Sequence, residues 1–214
     1  MLQKAHPTLP AATDLRLRLL DAAEQVCAAQ GIYDTRIEDV TRVAGVAKGT
    51  FYLYFPSKEA VVHEVVGAAF RELGERCAAA VAGARTRSQR ATALAAAHLA
   101  FFRDRPGRMR LLHQARGILK FSRPEWLPLR RTLDAHLDAV ARLLDLPPSF
   151  GEAERRDAAR VLFGATSGIA SVFAATAVEA ARNRLPADGH ELVARMLLDY
   201  VASRRRQLSS RRSR

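Results

Sequence analysis

Apolar residues recur at three- and four-residue spacings along almost the whole chain, and alternating runs bounded by turn residues are hard to find. The pattern predicts an all-helical protein. Leu15, Leu19, Ala22, Ala23, Val26 and Cys27 make one apolar stripe of a helix over residues 14–30, with Thr13 as its N-cap and Gly31 able to take the left-handed stop. Two short helices follow. The first covers residues 37–44 and ends at Gly45; the second covers 48–55 and ends before Pro56, which disfavours helix at the residue preceding it. Ser57 then caps a long helix reaching about residue 82, with Val62, Val65, Val66, Ala69 and Leu73 on one side.

The remaining breaks are as legible. Gly83 precedes a helix over residues 86–104, and Pro106 with Gly107 separates it from a short one over 108–115. Ser122 and Pro124 open another, with Leu133, Leu137, Val140 and Leu144 on one face, until Pro147 and Pro148 stop it. Two long helices close the chain, one over residues 152–182 and one starting at Asp188, where Asp188 and Glu191 have capping-box spacing. About nine helices result. The arginine- and serine-rich stretch 204–214 is low in complexity and is expected to be disordered.

Charge changes this picture less than its size suggests. The 214 residues carry 34 basic against 22 acidic side chains, a net of +12, which suggests a polyanionic partner. Residues 1–58 contribute only +1 and residues 59–203 contribute +5; six arginines without an acid in the last eleven residues supply the rest. Cys27 and Cys77 lie in helices with no metal or redox spacing, and no nucleophile, base or phosphate loop stands out, so neither an enzyme nor a metal or cofactor is expected. The amino terminus lacks the apolar core of a signal peptide, which fits a cytoplasmic protein.

The two short helices carry the function. Joined through Gly45-Val46-Ala47, they have the pattern of a helix-turn-helix, in which Val40, Ala44, Val46 and Phe51 pack against Leu19 and Val26. No acid lies between Ala47 and Ser57, which suits a rod entering the major groove of DNA with its first residues at base edges.

At these residues the chain resembles the tetracycline-repressor (TetR/AcrR) family of bacterial transcription regulators. The resemblance rests on the apolar first helix ending in Gly31, Thr35 before the second helix, Gly45-Val46, Gly49-Thr50-Phe51-Tyr52, and Tyr54-Phe55-Pro56-Ser57-Lys58-Glu59-Ala60. It implies a DNA-binding domain over residues 1–58 and a larger helical effector-binding and dimerisation domain over 59–203. By the same resemblance, Thr35, Arg36, Lys48, Gly49, Thr50, Tyr52, Leu53, Tyr54 and Lys58 would contact DNA: Lys48 and Thr50 at base edges or phosphates, Leu53 at bases, Tyr52, Tyr54 and Lys58 at the backbone. Three positions depart from the family's usual pattern. Arg36 stands where Thr or Ser is common, Thr41 replaces a small alanine, and Ala47 replaces a serine that would cap the reading helix.

The implied partners are a palindromic double-stranded operator, a second copy of the chain and a small-molecule effector, with repression as the expected role. Gly164, Gly168, Val172, Leu192, Met196 and Tyr200 are the candidate dimer interface. Residues 161–178 run without a charge, long enough to raise the question of a membrane span, but Thr166, Ser167, Ser171 and Thr176 favour a buried interface helix. Phe101, Phe102, Leu111, Leu112, Phe121, Trp126 and Phe163 are candidate pocket residues, set among arginines at 103, 105, 108, 110, 116, 123, 130 and 131 that could fix an anionic effector such as a carboxylate or acyl-CoA. The alternative is ordinary core with solvated arginines. His98, His113 and His136 could face one cavity, although their spacing is no metal signature. A different class of function, nonspecific or architectural nucleic-acid binding through the basic tail, is the rival reading.

Overall fold

The computed structural model describes residues 12–118, 124–175 and 188–212, and every element in them is helical. The chain divides into two compact units, Met1–Val65 and Val66–Arg214.

The first unit holds α1 (Ala12–Gln30), α2 (Ile37–Ala44), α3 (Lys48–Tyr52) and the start of α4 (Lys58–Val81). Leu19, Ala22, Ala23, Val26, Cys27, Ile32, Val40, Ala44, Phe51, Phe55, Val61, Val62 and Val65 form its core. Val46, expected there, is only half-buried. Both glycine stops are as the sequence implies: Gly31 has φ +99° and Gly45 φ +66°, a conformation that costs a residue with a Cβ more than it costs glycine. Two starts and stops differ. Thr13 lies inside α1 rather than capping it, and α3 ends at Tyr52 rather than running to Phe55. Past Tyr52 the backbone tightens into a turn, with the Tyr54 and Phe55 N–H groups both donating to Phe51 O at 3.0 Å, because Pro56 excludes a helical Phe55.

Ala47 sits at the N-cap of α3 with no side-chain hydrogen bond to offer the open N–H groups. An Ala47→Ser change is expected to raise the stability of the protein by ~1 kcal/mol in urea titration, and no gain would show that solvent already satisfies those donors.

The second unit holds the rest of α4, α5 (Arg87–Asp104), α6 (Pro106–Ile118), a single 3-10 turn (Pro124–Trp126), α7 (Leu127–Leu143), α8 (Glu152–Ala175) and α9 (Gly189–Arg212). In its layering, α5 packs on α8 and α9, and α8 also receives α7 and α9. Thr86 caps α5 through a full capping box with Gln89. Pro106, expected as a spacer, is instead the first residue of α6, a position whose missing N–H costs nothing. Ser122, expected to open α7, and the residues of α8 expected beyond Ala175 lie outside the described residues.

The basic tail is a correction. α9 continues to Arg212, with Ser209 and Ser210 hydroxyls donating to Arg205 O at 3.1 Å and Gln207 O at 2.9 Å, and Arg204 reaching Glu154 of α8 at 3.3 Å. Arginine is a good helix former, and cations at a helix C-terminus complement its dipole, so this composition extends a helix that packing has already nucleated.

Candidate functional site

The turn that presents the reading helix is held from three sides. Arg18 of α1 donates from Nη2 to Ala44 O at 2.6 Å, satisfying a carbonyl at the end of α2. The Gly45 and Val46 N–H groups return to Arg42 O and Thr41 O at 3.2 and 3.0 Å. Phe51, fully buried, anchors α3 against Phe55 with ring centroids 5.6 Å apart. What is left outward is Leu53, 81% exposed, Tyr52, 49% exposed, Lys48 and Gly49, with Thr50 and Tyr54 half-buried beside them. A Cβ at Gly49 would meet nothing within 4 Å, so this glycine leaves an open approach to the backbone at the start of α3.

Three of the expected DNA contacts are placed differently. Thr35 is buried, and its hydroxyl donates to Gly31 O at 2.6 Å, closing the loop between α1 and α2; it presents no hydroxyl to a phosphate. Lys58 donates from Nζ to Tyr33 O at 2.9 Å and Ile32 O at 3.2 Å, so its ammonium holds the same loop. Lys48 is exposed but ion-paired to Glu38 of α2 at 2.5 Å; the hydrogen bond between them raises the lysine's pKa and lowers that of the carboxyl. The acid-free run of the sequence is thus given an acid from the neighbouring helix. Arg36 is exposed at the start of α2 and makes no capping bond. Thr41 is buried and donates to Glu38 O at 3.1 Å, which accounts for its tolerance at a packed position.

Of the candidate pocket residues, Phe101, Phe102, Leu111, Leu112, Trp126 and Phe163 are all buried in the second unit, and Phe121 lies outside the described residues. Phe102 links two of the others, its ring centroid 6.3 Å from Phe163 and 5.8 Å from Phe101. Phe70 of α4 joins them, 6.0 Å from Phe163, and so do two histidines: His98 lies 6.0 Å and His136 5.7 Å from Phe163, with 5.8 Å between the two imidazoles. Burial pulls the His98 pKa down to about 4; burial, helped by the neighbouring His98, pulls His136 down to about 3. His113 is elsewhere, exposed, with its Nδ1 3.0 Å from Ser171 Oγ. Sequence reasoning missed Phe70; of the three histidines it placed together, His98 and His136 do meet and His113 does not. The available signal was that Leu94, His98 and Phe102 follow at i, i+4 and i+8, which sets a histidine on an otherwise apolar helix face.

Arg103, Arg105 and Arg108, with Arg76 of α4, are committed to carboxylates. Glu72 receives Arg76 at 2.8 Å, Arg105 at 3.1 Å and Arg108, while Asp104 receives Arg76 and Arg103, each at 3.1 Å. Arg116 differs: it donates to Ser167 Oγ, and its guanidinium carbon lies 5.6 Å from the centroid of the Phe163 ring. The Cys77 thiol, buried 3.5 Å from His98 Nδ1, is pushed up to about 12 and is no redox sensor. Among the described residues no group of three or more His, Cys, Asp or Glu could hold a metal ion, and no helix is long and apolar enough to cross a membrane.

Gly164 is half-buried and Gly168 exposed, and neither has an atom within 4 Å of a built Cβ. Val172, at 63% exposure, and Leu192 and Met196, each at 50%, leave apolar surface on α8 and α9, with Tyr200 half-buried.

A glycine-turned helix pair with an exposed segment after the turn, followed by a larger all-helical unit, has the arrangement of a helix-turn-helix. Residues 19–65 match the family of bacterial regulatory proteins, tetR family. The family match is confined to this amino-terminal segment. The regulator EthR of Mycobacterium tuberculosis is 40% identical over 53 residues, 25% of this chain and 24% of that protein; SrpR of Pseudomonas putida is 37% identical over 62 residues, 29% of each. The matched segment therefore spans about a quarter of these relatives' length. The fold extends much further. The fatty acid degradation regulator FadR of Bacillus halodurans superposes with a TM-score of 0.67 at 19% identity, covering 90% of this chain and 97% of that one. FadR of Bacillus subtilis in complex with stearoyl-CoA gives 0.69 at 18% identity, covering 85% and 96%.

Proposed function

We propose that the protein is a cytoplasmic homodimeric repressor that binds a palindromic operator and is released when a hydrophobic small molecule enters the second unit. The observation that carries the reading is the exposed segment from Lys48 to Tyr54, where Leu53 and Tyr52 face outward behind a turn fixed by Gly45 and Arg18. A free leucine at 81% exposure in a packed three-helix head suits apolar contact with a thymine methyl in the major groove, and Tyr52, Tyr54, Thr50 and Arg36 offer hydroxyls and charge to phosphates. Lys48 reaches a phosphate by exchanging its bond to Glu38. Gly49 lets the backbone come close. One such head reads only a few base pairs, so two related by a twofold axis are needed for a selective site. The apolar strip of Val172, Leu192 and Met196, flanked by Gly164, Gly168 and Tyr200, supports a second copy of the chain as its cover. Effector release follows by linkage if the ligand favours a conformation with the wrong spacing of the two heads.

The test is protection of DNA upstream of the protein's own coding region. A palindromic footprint is expected, with Tyr52→Ala plus Leu53→Ala weakening operator binding by about tenfold or more while binding to random DNA changes little. Equal affinity for operator and random DNA across a salt series would overturn the proposal in favour of nonspecific binding.

A further inference from the structure

His98 and His136 are buried against Phe70, Phe102 and Phe163, and in both rings Nε2 has no hydrogen-bond partner. Buried polar atoms are nearly always satisfied, so two orphans whose rings lie 5.8 Å apart in one aromatic cluster point to a group that completes them. The chemistry of that group can be read from His98. Its Nδ1 lies 2.8 Å from Leu94 O, and a carbonyl only accepts, so the ring proton is on Nδ1 and Nε2 is a bare lone pair. The missing partner must therefore donate.

We infer that His98 and His136 form the polar end of the effector site, and that the ligand carries a neutral hydroxyl, alcoholic or phenolic, on an apolar body. The inference rests on the reading that the second unit takes a small-molecule effector. A carboxylate is a poor occupant because it has no proton to give to His98 Nε2 and would enter an apolar ring cluster beside two imidazoles held neutral by burial. A hydroxyl donates to His98 and keeps lone pairs for a donor on the other side. The three phenylalanine rings then cover the apolar body of the ligand.

Calorimetric titration of the full chain with 4-butylphenol, butylbenzene and 4-butylbenzoate tests this. The phenol is expected to bind about tenfold tighter than butylbenzene, and His98→Leu to erase that difference while leaving butylbenzene within about twofold. Equal binding of phenol and butylbenzene, as when a buried water already bridges the two nitrogens, overturns the hydroxyl assignment and leaves the effector site standing. Tightest binding by the benzoate also overturns it. No binding by any of the three removes the apolar effector site itself. If His98→Leu does not fold, the ratio of phenol to butylbenzene on the unaltered protein decides alone.

Discussion

Phe51→Ala is expected to lower the stability of the protein by about 3–5 kcal/mol and to abolish operator binding. Phe51 is fully buried, with the Phe55 and Tyr52 rings at 5.6 and 5.5 Å. It sits on a helix of five residues that lacks a side-chain cap, and a helix so short has no stability of its own. Burial of this one ring is therefore what keeps α3 formed, and truncation leaves both a cavity and an unanchored reading segment. The loss is a large fraction of the stability of an ordinary domain, so the variant should unfold at much lower urea. Far-ultraviolet dichroism in a urea series, run beside a DNA-binding assay, checks both parts. A loss below about 1 kcal/mol would mean that neighbouring side chains collapse into the gap, and the anchoring role would be wrong.

The second large effect is acid lability through the histidine pair. Both rings are neutral in the folded state well below their ordinary pKa of 6.5, down to about 4 for His98 and about 3 for His136. The sign follows from proton counting. Below pH 6.5 the unfolded chain binds protons at these two positions and the folded chain does not, so stability is complete above 6.5 and falls as pH drops toward 4. Each ring contributes a slope of up to about 1.4 kcal/mol per pH unit across that interval. Carboxylates add to it only at the acid end: against some burial of Glu72, arginine hydrogen bonds hold Glu72 and Asp138 below their ordinary values of 4.5 and 3.8, so that contribution is lost as the unfolded chain protonates near those values, below the onset set by the histidines. Urea midpoints measured from pH 8 to 4.5 should decline below about 6.5, and a His98→Leu, His136→Leu double variant should flatten that decline. A flat profile in the parent protein would contradict the burial of the pair.

Where sequence reading worked, the signals were local. Gly31 and Gly45 fix left-handed stops, Pro56 ends the reading segment, and Ser57 caps α4 by accepting from the Ala60 N–H at 3.2 Å. Apart from half-buried Leu15, the apolar stripes of α1 and α4 are the core they promised to be. Where it failed, the deciding contact was distant in sequence. Lys58 was assigned to DNA because nothing local could show that its ammonium is taken by carbonyls 25 and 26 residues earlier. Thr35 is different, because its partners, Gly31 O and the Cys27 sulfur, are close in sequence and it is the folded loop that turns its hydroxyl inward. Glu38 and Lys48 are ten residues apart in sequence and become a pair only when the turn folds. The histidine cluster draws on four helices, so no window of sequence contains it. Pro106 and the arginine tail were misread for another reason: both compositions suit either a break or a helix end, and only packing chooses.

The helical end of α9 changes what the net charge of the chain can do. On an α-helix each residue turns about 100° and rises about 1.5 Å, so Arg204, Arg205 and Arg206 point in three directions. One of them, Arg204, is turned back to Glu154. A flexible arginine tail could wrap all its charges onto one phosphate chain, whereas this rod shows a straight polyanion only the fraction on its near side. Of the +12, the share carried by Arg204, Arg205 and Arg206 is thus rationed by geometry, and a count of these arginines overstates the attraction they exert.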